Sequence, residues 1–499
     1  MTVSLSVPRP LQETHSARIV VVVVLGFAAL VVSGVAVVAP QRFGVVLSIV
    51  ALGLVAAASG LGSPLIAVVY LLVADFFRLV FPDHVLPTEP FILAFVGLVA
   101  SVGIWASRRR QRLPAIGLME VFIALYILWN IGSMVAPHLY GSNYPVDGTS
   151  LSVPRFILIG AAMPQISLLL GIIAFGRERA IKVLLVIVML FSAYSALVSI
   201  LQFYAPSLVW PRYIVDATRW PGRAVGVFNQ PVVNGLVLVL GYLAAVLTAS
   251  WATERRTLRI MAVMLAVACT VGIYLTHTRA AWLSFAIVVV LGILLARGWR
   301  KGFVFTFTVV VLAVAVNWST FTSSDRDAGG VGSTNEVYDR LNMIATSLWA
   351  LREKPFFGWG IGRFAVVNTY HHQQWSPSIP WNRGYGLASH FDILGIAVEL
   401  GLIGVSLWIL AMAFIVKGSL RAAKMLPDGR MCDRPFALFA LLALLTLLMT
   451  GLTVDLRFFD FPNVMVLLCV GAAIGRARGA SPGQPGVSDL APSRVQSAT

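Results

Sequence analysis

Charged residues are scarce in this chain of 499 residues. Asp, Glu, Lys and Arg together make up 12% of it, against 58% hydrophobic residues. A soluble domain needs a polar exterior, and this chain has too little charge to supply one. The mean hydropathy of +0.86 leads to the same conclusion. The composition therefore excludes a single soluble domain and indicates a protein that crosses a membrane several times.

Cysteine and acidic residues are scarce too. The three cysteines, Cys269, Cys432 and Cys469, have neither the spacing of metal ligands nor that of a disulfide framework. His371-His372 could suggest a metal, but no carboxylate or cysteine lies at ligand spacing, so we expect no metal and no cofactor. Basic residues outnumber acidic ones by 37 to 21. They lie in short clusters between apolar runs, which favours membrane topology over nucleic-acid binding.

Apolar runs long enough to cross a membrane recur along almost the whole chain, and we count about fourteen of them. They lie near residues 19–39, 44–60, 64–82, 87–106, 115–136, 155–176, 183–204, 232–250, 260–276, 280–296, 302–320, 389–416, 436–453 and 459–475. Lys and Arg cluster in alternate connections, beginning with residues 108–112, which predicts that these connections and both termini are cytoplasmic. The predicted fold class is an all-α polytopic membrane protein.

The spans divide the chain into regions. We expect a cytoplasmic tail over 1–18, a transmembrane bundle over 19–176, a region with two long outer loops over 177–416, C-terminal transmembrane helices over 417–478 and a disordered cytoplasmic tail over 479–499. The outer loops are 205–231 and 321–388, and loops of this length are usually functional or disordered.

The second outer loop contains a helical pattern. Ser333 and Glu336 have the spacing of a capping box, and Lys354-Pro355 is a stop signal. Apolar residues recur between them at helical spacing, at Val337, Leu341, Ile344, Leu348 and Leu351. This pattern predicts an amphipathic helix that lies on the membrane. The aromatic residues that follow indicate either an interfacial belt or a platform for sugar stacking, with Trp359, Phe364, Trp375 and Trp381 as candidate contacts to acceptor or sugar.

A histidine precedes the apolar run that starts near residue 389. Ser389 and Asp392 have the spacing of a capping box, which predicts that His390 lies in the first helical turn. There the positive end of the helix dipole should lower the pKa of His390 and favour the neutral ring. His390 is therefore a candidate general base, with His277 as the rival. The alternative is an interfacial histidine with no chemical role.

Two arginines precede other apolar runs on the same predicted side of the membrane. Arg223 lies in a glycine-punctuated turn before the run at 232–250, and Arg279 lies in the short connection before the run at 280–296. A guanidinium group grips phosphate oxygens in a planar, bidentate way and stays charged when it is partly desolvated. The pair fits a diphosphate. For either arginine alone, a lipid-headgroup anchor or an ion-pair partner is an equal alternative.

Four stretches together resemble the O-antigen ligase and O-antigen polymerase superfamily of bacterial glycan transferases. They are Arg-Ala-Val-Gly-Val-Phe-Asn-Gln-Pro at 223–231, Thr-Arg-Ala-Ala-Trp at 278–282, Lys-Pro-Phe-Phe-Gly-Trp-Gly-Ile-Gly-Arg-Phe at 354–364 and Ser-His-Phe-Asp-Ile-Leu-Gly-Ile-Ala-Val-Glu-Leu-Gly at 389–401. The resemblance implies that 177–416 is a catalytic region in the bacterial inner membrane. It also implies metal-independent, inverting transfer of a glycan from a polyprenyl-diphosphate carrier to an acceptor hydroxyl on the outer face.

The resemblance assigns roles to the candidate residues. His390 would be the general base, and Arg223 and Arg279 would hold the diphosphate. Supporting roles are open to Asn229, Asp392, His277, Arg340 and Glu399. We expect Glu399, however, to lie far from His390 in a buried helix–helix contact, with a protonated or paired carboxyl. The leading hypothesis is a ligase. The alternatives are a polymerase of lipid-linked repeat units, a transporter or flippase, and a structural partner in an envelope complex.

Overall fold

The computed structural model describes residues 62–80, 90–108, 116–146, 148–216, 220–323 and 335–480. The chain divides into two compact units, Met1–Arg112 and Leu113–Thr499. Within the described ranges the regular elements are helices, and the only strand-like pairing is one isolated bridge between Asn143 and Ser150. The predicted all-α polytopic fold is confirmed.

In the first unit, α1 (Pro64–Val80) packs against α2 (Pro90–Arg108). The second unit contains the other long helices. They are α3 (Leu118–Val135), α4 (Val153–Ala174), α5 (Glu178–Tyr204), α6 (Pro231–Trp251), α7 (Arg256–Leu275), α8 (Arg279–Leu295), α9 (Arg300–Val316), α10 (Asn335–Glu353), α11 (Phe364–Tyr370), α12 (Asp392–Met425), α13 (Arg434–Gly451) and α14 (Asp460–Gly479).

Each predicted span that falls on described residues is a helix. Nine helices in the described ranges, α2 to α7 and α12 to α14, are long and apolar enough to cross a membrane. Two shorter apolar helices are Pro64–Asp75, within α1, and α8. The predicted spans near 19–39 and 44–60 and the predicted tail beyond residue 480 lie outside the described residues, as does Ser333 of the predicted capping box.

The core of the second unit forms where α14 packs on α4. Gly471 and Gly475 are four residues apart on α14, and Gly171 faces them from α4. A Cβ atom at Gly471 would overlap the carbonyl oxygen of Leu168, and one at Gly475 would overlap that of Ile172. Small residues at this spacing let two helices approach closely within a membrane, where hydrophobic association gives no driving force. This contact anchors the C-terminal helix in the bundle.

Helix α12 is interrupted at Gly401, which has φ 69° and ψ −174°. The break leaves backbone groups without helical partners, and the loop after α10 satisfies them. Trp359 and Gly360 donate their N–H groups to the carbonyl oxygens of Val398 (2.8 Å) and Glu399 (2.8 Å), and Leu402 donates to that of Pro355 (2.7 Å). This loop therefore docks into the break. The 24 residues that follow Gly401 in α12 are about 36 Å long, enough to cross the bilayer without the segment before the break.

Replacing Gly401 by alanine should destabilise the protein. The backbone conformation of Gly401 is essentially restricted to glycine, and a methyl group would overlap the carbonyl of Phe356. We expect the free energy of unfolding to fall by at least about 1–3 kcal/mol. Thermal unfolding in detergent measures the effect. The control is Gly132→Ala in α3, where a methyl group meets open space. An equal loss in both variants would contradict the role given to the break.

The segment between α9 and α12, predicted to be an outer loop, contains α10, which confirms the predicted helix and its end before Pro355. The location of this helix on the membrane stays a prediction. Its small polar face is buried: Asn342 donates to the carbonyl oxygens of Pro380 (3.1 Å) and Arg383 (3.0 Å), and Thr346 accepts from the N–H of Gln373 (3.0 Å). The predicted apolar stripe lies on the less buried side, where Leu348 is exposed. The helix is therefore held to its loop by hydrogen bonds, and of the stripe only Val337 and Leu348 are exposed.

Candidate functional site

The turn that carries Arg223 is held by hydrogen bonds from three helices. Ala224 donates its N–H to the carbonyl oxygen of Leu275 at the end of α7 (2.8 Å). Asn234 of α6 donates to the carbonyl oxygen of Ala224 (3.0 Å). The amide oxygen of Gln202 on α5 accepts from Val225 (3.1 Å), and also from the next residue along the chain. The position of Arg223 is therefore fixed by residues that are distant in sequence.

His277 holds the same turn from a fourth direction. Its Nδ1 donates to the carbonyl oxygen of Gly222 (2.6 Å), and its ring packs edge-on against Phe203 and Tyr274. His277 is buried and has a positive φ of 42°, between the end of α7 and the start of α8. The structure thus gives the predicted rival base a role in positioning the Arg223 turn.

The guanidinium group of Arg223 is buried beside α10. Arg223 is only 6% exposed, and it forms an ion pair with Glu336 in the first turn of that helix. Its charge also lies over the ring of Trp220, 5.3 Å from the centroid. A buried charge needs such partners because desolvation is costly. The N-terminal end of α10 therefore lies next to the loop that carries Arg223.

His390 lies at the same end of α10. Burial lowers the pKa of its imidazole, and the charge of Arg340 lowers it further, whereas the carboxylates of Asp339 and Glu336 act in the opposite direction. Nδ1 of His390 donates to the carbonyl oxygen of Ala388 (3.1 Å), which also raises the pKa. Because a carbonyl oxygen can only accept, Nδ1 carries the proton in the neutral ring and Nε2 is the basic nitrogen.

The predicted capping box around His390 is wrong. Helix α12 begins at Asp392 with Phe391 as its N-cap residue, so His390 precedes the helix. The Ser389 hydroxyl closes a local turn instead, donating to the carbonyl oxygen of Phe391 (2.7 Å) and accepting from its N–H (3.1 Å). Asp392 accepts from the N–H of Leu456 (2.7 Å). Burial, not a position in the first helical turn, is the main cause of the lowered pKa of His390.

Arg279 is the first residue of α8, and its side chain is exposed. It follows His277 by two residues, and His277 bonds the turn that carries Arg223. The hydrogen bond from the His277 ring to Gly222 therefore holds the start of α8 close to the turn that carries Arg223. Asn229, in a left-handed conformation with φ 50°, ends the short 3₁₀ turn Gly226–Phe228 that leads from Arg223 into α6.

A buried charge network that includes Glu399 lies beside the first turns of α12, and its other members, Asp455 and Arg457, are not among the residues predicted from the sequence. Arg457, in the connection between α13 and α14, donates Nε and a terminal nitrogen to the two carboxylate oxygens of Asp455 (2.9 and 2.6 Å). It donates its other terminal nitrogen to Glu399 (2.6 Å) and lies over the ring of Phe156. The sequence signal that could have indicated this network is the pair of charged residues in the short connection Asp-Leu-Arg at 455–457.

This network explains the expected burial of Glu399. Its carboxylate is 2% exposed, accepts from Arg457 and also accepts from the N–H of Phe364 (3.2 Å). The contact with Arg457 is an ion pair, so Glu399 is buried and paired as expected. A Cβ atom at Gly395 would lie 2.6 Å from a terminal nitrogen of Arg457 and 3.0 Å from the Cβ of Ser389. The network thus supports the segment of α12 that follows His390.

Two of the four aromatic residues predicted to contact sugar are buried, and for these the prediction is wrong. Trp359 donates from its indole nitrogen to the carbonyl oxygen of Ala350 (2.9 Å) and stacks on Tyr140. Phe364 is 3% exposed in the same cluster. They are buried because the loop after α10 folds into the break in α12. Trp375 and Trp381 are about half exposed, at 49% and 50%.

The two adjacent histidines of the outer segment have structural partners. His371 shares a hydrogen bond with the hydroxyl of Tyr140 (2.8 Å) and stacks on Trp349. His372 contacts the side chain of Asn368 (2.8 Å) and the carbonyl oxygen of Trp381 (2.7 Å). His371 therefore packs against α10, and His372 contacts α11, so both rings hold the segment between α10 and α12 in place.

A comparison with family models identifies one segment of this chain. Residues 264–409 match the model described as O-antigen ligase. The segment includes Arg279, Arg340, His390 and Glu399, whereas Arg223 precedes it. No curated protein matches the chain.

Proposed function

Because this chain belongs to the O-antigen ligase superfamily through residues 264–409, we propose that it is a membrane glycosyltransferase of the ligase type. It would move a glycan from a polyprenyl-diphosphate carrier to an acceptor hydroxyl on the extracytoplasmic face of the inner membrane, with both termini in the cytoplasm. The observation that carries the proposal is that Glu336, in the first turn of α10, pairs with Arg223 and also acts on the pKa of His390, although Arg223 and His390 are far apart in the chain.

In the proposed reaction, the acceptor oxygen attacks the anomeric carbon of the donor glycan. Nε2 of His390 takes the proton of the hydroxyl as the new carbon–oxygen bond forms. The bond between the anomeric carbon and the diphosphate breaks, and its electron pair goes to the phosphate oxygen. Arg223 and Arg279 would stabilise the negative charge that develops there. A single displacement inverts the configuration at the anomeric carbon.

The charges around His390 suit both of its states. Arg340 favours the neutral ring that accepts the proton, whereas Asp339 and Glu336 favour the imidazolium that the transfer produces. Glu336 also pairs with Arg223, so one carboxylate links the proposed base to the proposed diphosphate site. The remaining predicted contacts to sugar are Trp375 and Trp381, which are exposed on the same outer segment.

One observation argues against a transporter. In transporters with broken helices, the backbone at the break lines a cavity that binds substrate or ions. At Gly401 the loop after α10 instead bonds the groups on both sides of the break, so they are not offered to a transported ligand.

The test of the function is glycan transfer in proteoliposomes that contain the purified protein. A polyprenyl-diphosphate-linked oligosaccharide is the donor, and a lipid anchor and a second lipid-linked repeat unit are offered as acceptors in separate reactions. A ligase forms one product on the lipid anchor, with inverted anomeric configuration by NMR spectroscopy. A ladder of longer lipid-linked products would show a polymerase instead. Absence of transfer to both acceptors would contradict the proposed activity.

The pH dependence of transfer tests the proposed base. Since the pKa of His390 is lowered, the neutral ring persists below the ordinary pKa of about 6.5. Activity should therefore rise with pH, with the midpoint of the acidic limb below that value. Arg340→Gln should move the limb to higher pH, and Asp339→Asn should move it to lower pH. Arg352→Gln, at the other end of α10, is the control. Shifts in the same direction for both variants would contradict the assignment.

A further inference from the structure

A groove runs along the membrane-facing side of the bundle between α7 and α9. Residues of α6 complete it, and its cavity volume is about 550 Å³. Its walls are mostly apolar, with exposed Val263, Val267 and Val271 on α7 and exposed Phe305 and Val309 on α9, and Ser250, Thr270 and Thr306 also line it. The groove is open to the bilayer, and none of the residues proposed to act in glycan transfer lines it.

One end of the groove carries two positive charges. Arg259, in the first turn of α7, and Lys301, in the first turn of α9, line the same cavity as the valines. Both side chains are exposed, and no acidic residue within the described ranges lines the groove. Two cations at one end of an apolar groove are complementary to a molecule that has an anionic headgroup and a hydrocarbon chain.

The length of the groove matches one leaflet. The 12 residue-to-residue steps from Arg259 to Val271 rise about 18 Å along α7. Half of the hydrocarbon core of a bilayer is about 15 Å thick. A lipid whose headgroup lies at the cationic end would thus extend its chains along most of the groove.

We propose that this groove binds an anionic phospholipid, with its phosphate at Arg259 and Lys301 and an acyl chain between α7 and α9. The headgroup belongs to the leaflet that faces the first turns of these helices, which the distribution of basic residues predicts to be cytoplasmic. The continuity of the two cations with an apolar groove favours a lipid over a second copy of this chain, because a lipid carries its anion and its hydrocarbon chains in one molecule. The apolar walls favour a lipid over free phosphate.

Native mass spectrometry of the purified protein tests the headgroup contact. The protein is titrated in detergent with phosphatidylglycerol or with phosphatidylcholine, and bound lipids are counted. We expect tighter binding of phosphatidylglycerol, and about a fivefold weaker affinity for it in Arg259→Gln and in Lys301→Gln. Arg256→Gln and Arg297→Gln remove the same charge outside the groove and should change little. An equal loss in all four variants would show general attraction to basic residues and would overturn the site.

Filling the groove tests the acyl-chain contact. Val267→Trp should block binding of both lipids, whereas Met264→Trp, which is equally exposed on α7 but does not line the groove, should not. Unchanged lipid binding in Val267→Trp would overturn the proposal, and so would displacement of the lipid by millimolar inorganic phosphate. The proposal would also be overturned if the wild-type protein formed an oligomer that the Val267→Trp variant did not form, because the groove would then be an interface between copies of the chain. None of these measurements depends on glycan transfer.

Discussion

Replacement of His390 by glutamine should lower the rate of glycan transfer by about 10² to 10⁴ fold. Glutamine approximates the size and polarity of the ring but cannot accept a proton from the acceptor hydroxyl. Because the donor is held by other residues, the effect should fall mainly on kcat, with a small change in the KM for the donor. Initial rates in proteoliposomes at saturating donor and acceptor measure it.

The residual activity of the His390 variant gives a second readout. With the base removed, the acidic limb of the pH profile should disappear, which a merely structural defect would not cause. His371→Gln is the matched control, since His371 lies in the same outer segment and bonds Tyr140. It should retain the limb and most of the rate. A His390→Gln enzyme with an unchanged limb and rate would refute the assignment of the base.

Replacement of Arg223 should lower the rate of glycan transfer almost as much as replacement of His390. Arg223→Gln removes a preorganised cation from the proposed diphosphate site, and loss of one such group typically lowers kcat by about 10² to 10³ fold. Arg223→Lys keeps the charge but loses the planar, bidentate geometry, so it should recover only part of the rate. Transfer rates of the two variants, compared at equal amounts of folded protein, measure the difference.

Two further variants separate catalysis from folding. Arg223→Gln removes the positive charge that pairs with Glu336, so the double variant Arg223→Gln with Glu336→Gln should regain stability but not activity. Arg383→Gln breaks a similar ion pair, with Asp339 of α10 (2.9 Å), and is the control. Its loss of rate should be smaller than that of Arg223→Gln. If the double variant recovered full transfer, Arg223 would have only a structural role.

The helices were largely predictable because their signals are local. Each predicted span on described residues is helical, since about twenty apolar residues in a row have few other stable arrangements in a membrane. The same holds for α10, whose periodicity and terminal proline mark its extent. Periodicity did not predict the break at Gly401, because the run from 389 to 416 reads as continuously apolar. A glycine in such a run does not reveal that a loop will dock on it.

Errors at the candidate site have a different cause. Ser389 and Asp392 have the spacing of a capping box, but their side chains bond Phe391 and Leu456 instead. Trp359 and Phe364 have the residue types of a sugar-binding surface, yet they are buried beneath α10. In both cases a short pattern was compatible with two environments. Contacts from distant segments selected between them.

By itself, the amino-acid sequence determined the class of this protein: many apolar spans, an outer amphipathic helix and a set of candidate residues. Hydrophobic runs and helical periodicity act over a few neighbouring residues, so they can be read without a structure. Only the tertiary structure decided which charged side chains form ion pairs. The pair of Arg223 with Glu336 joins residues 113 positions apart, and the network of Glu399, Asp455 and Arg457 closes around a helix break. Such partners form because a buried charge must be neutralised, and which partner reaches it depends on the packing of the whole bundle.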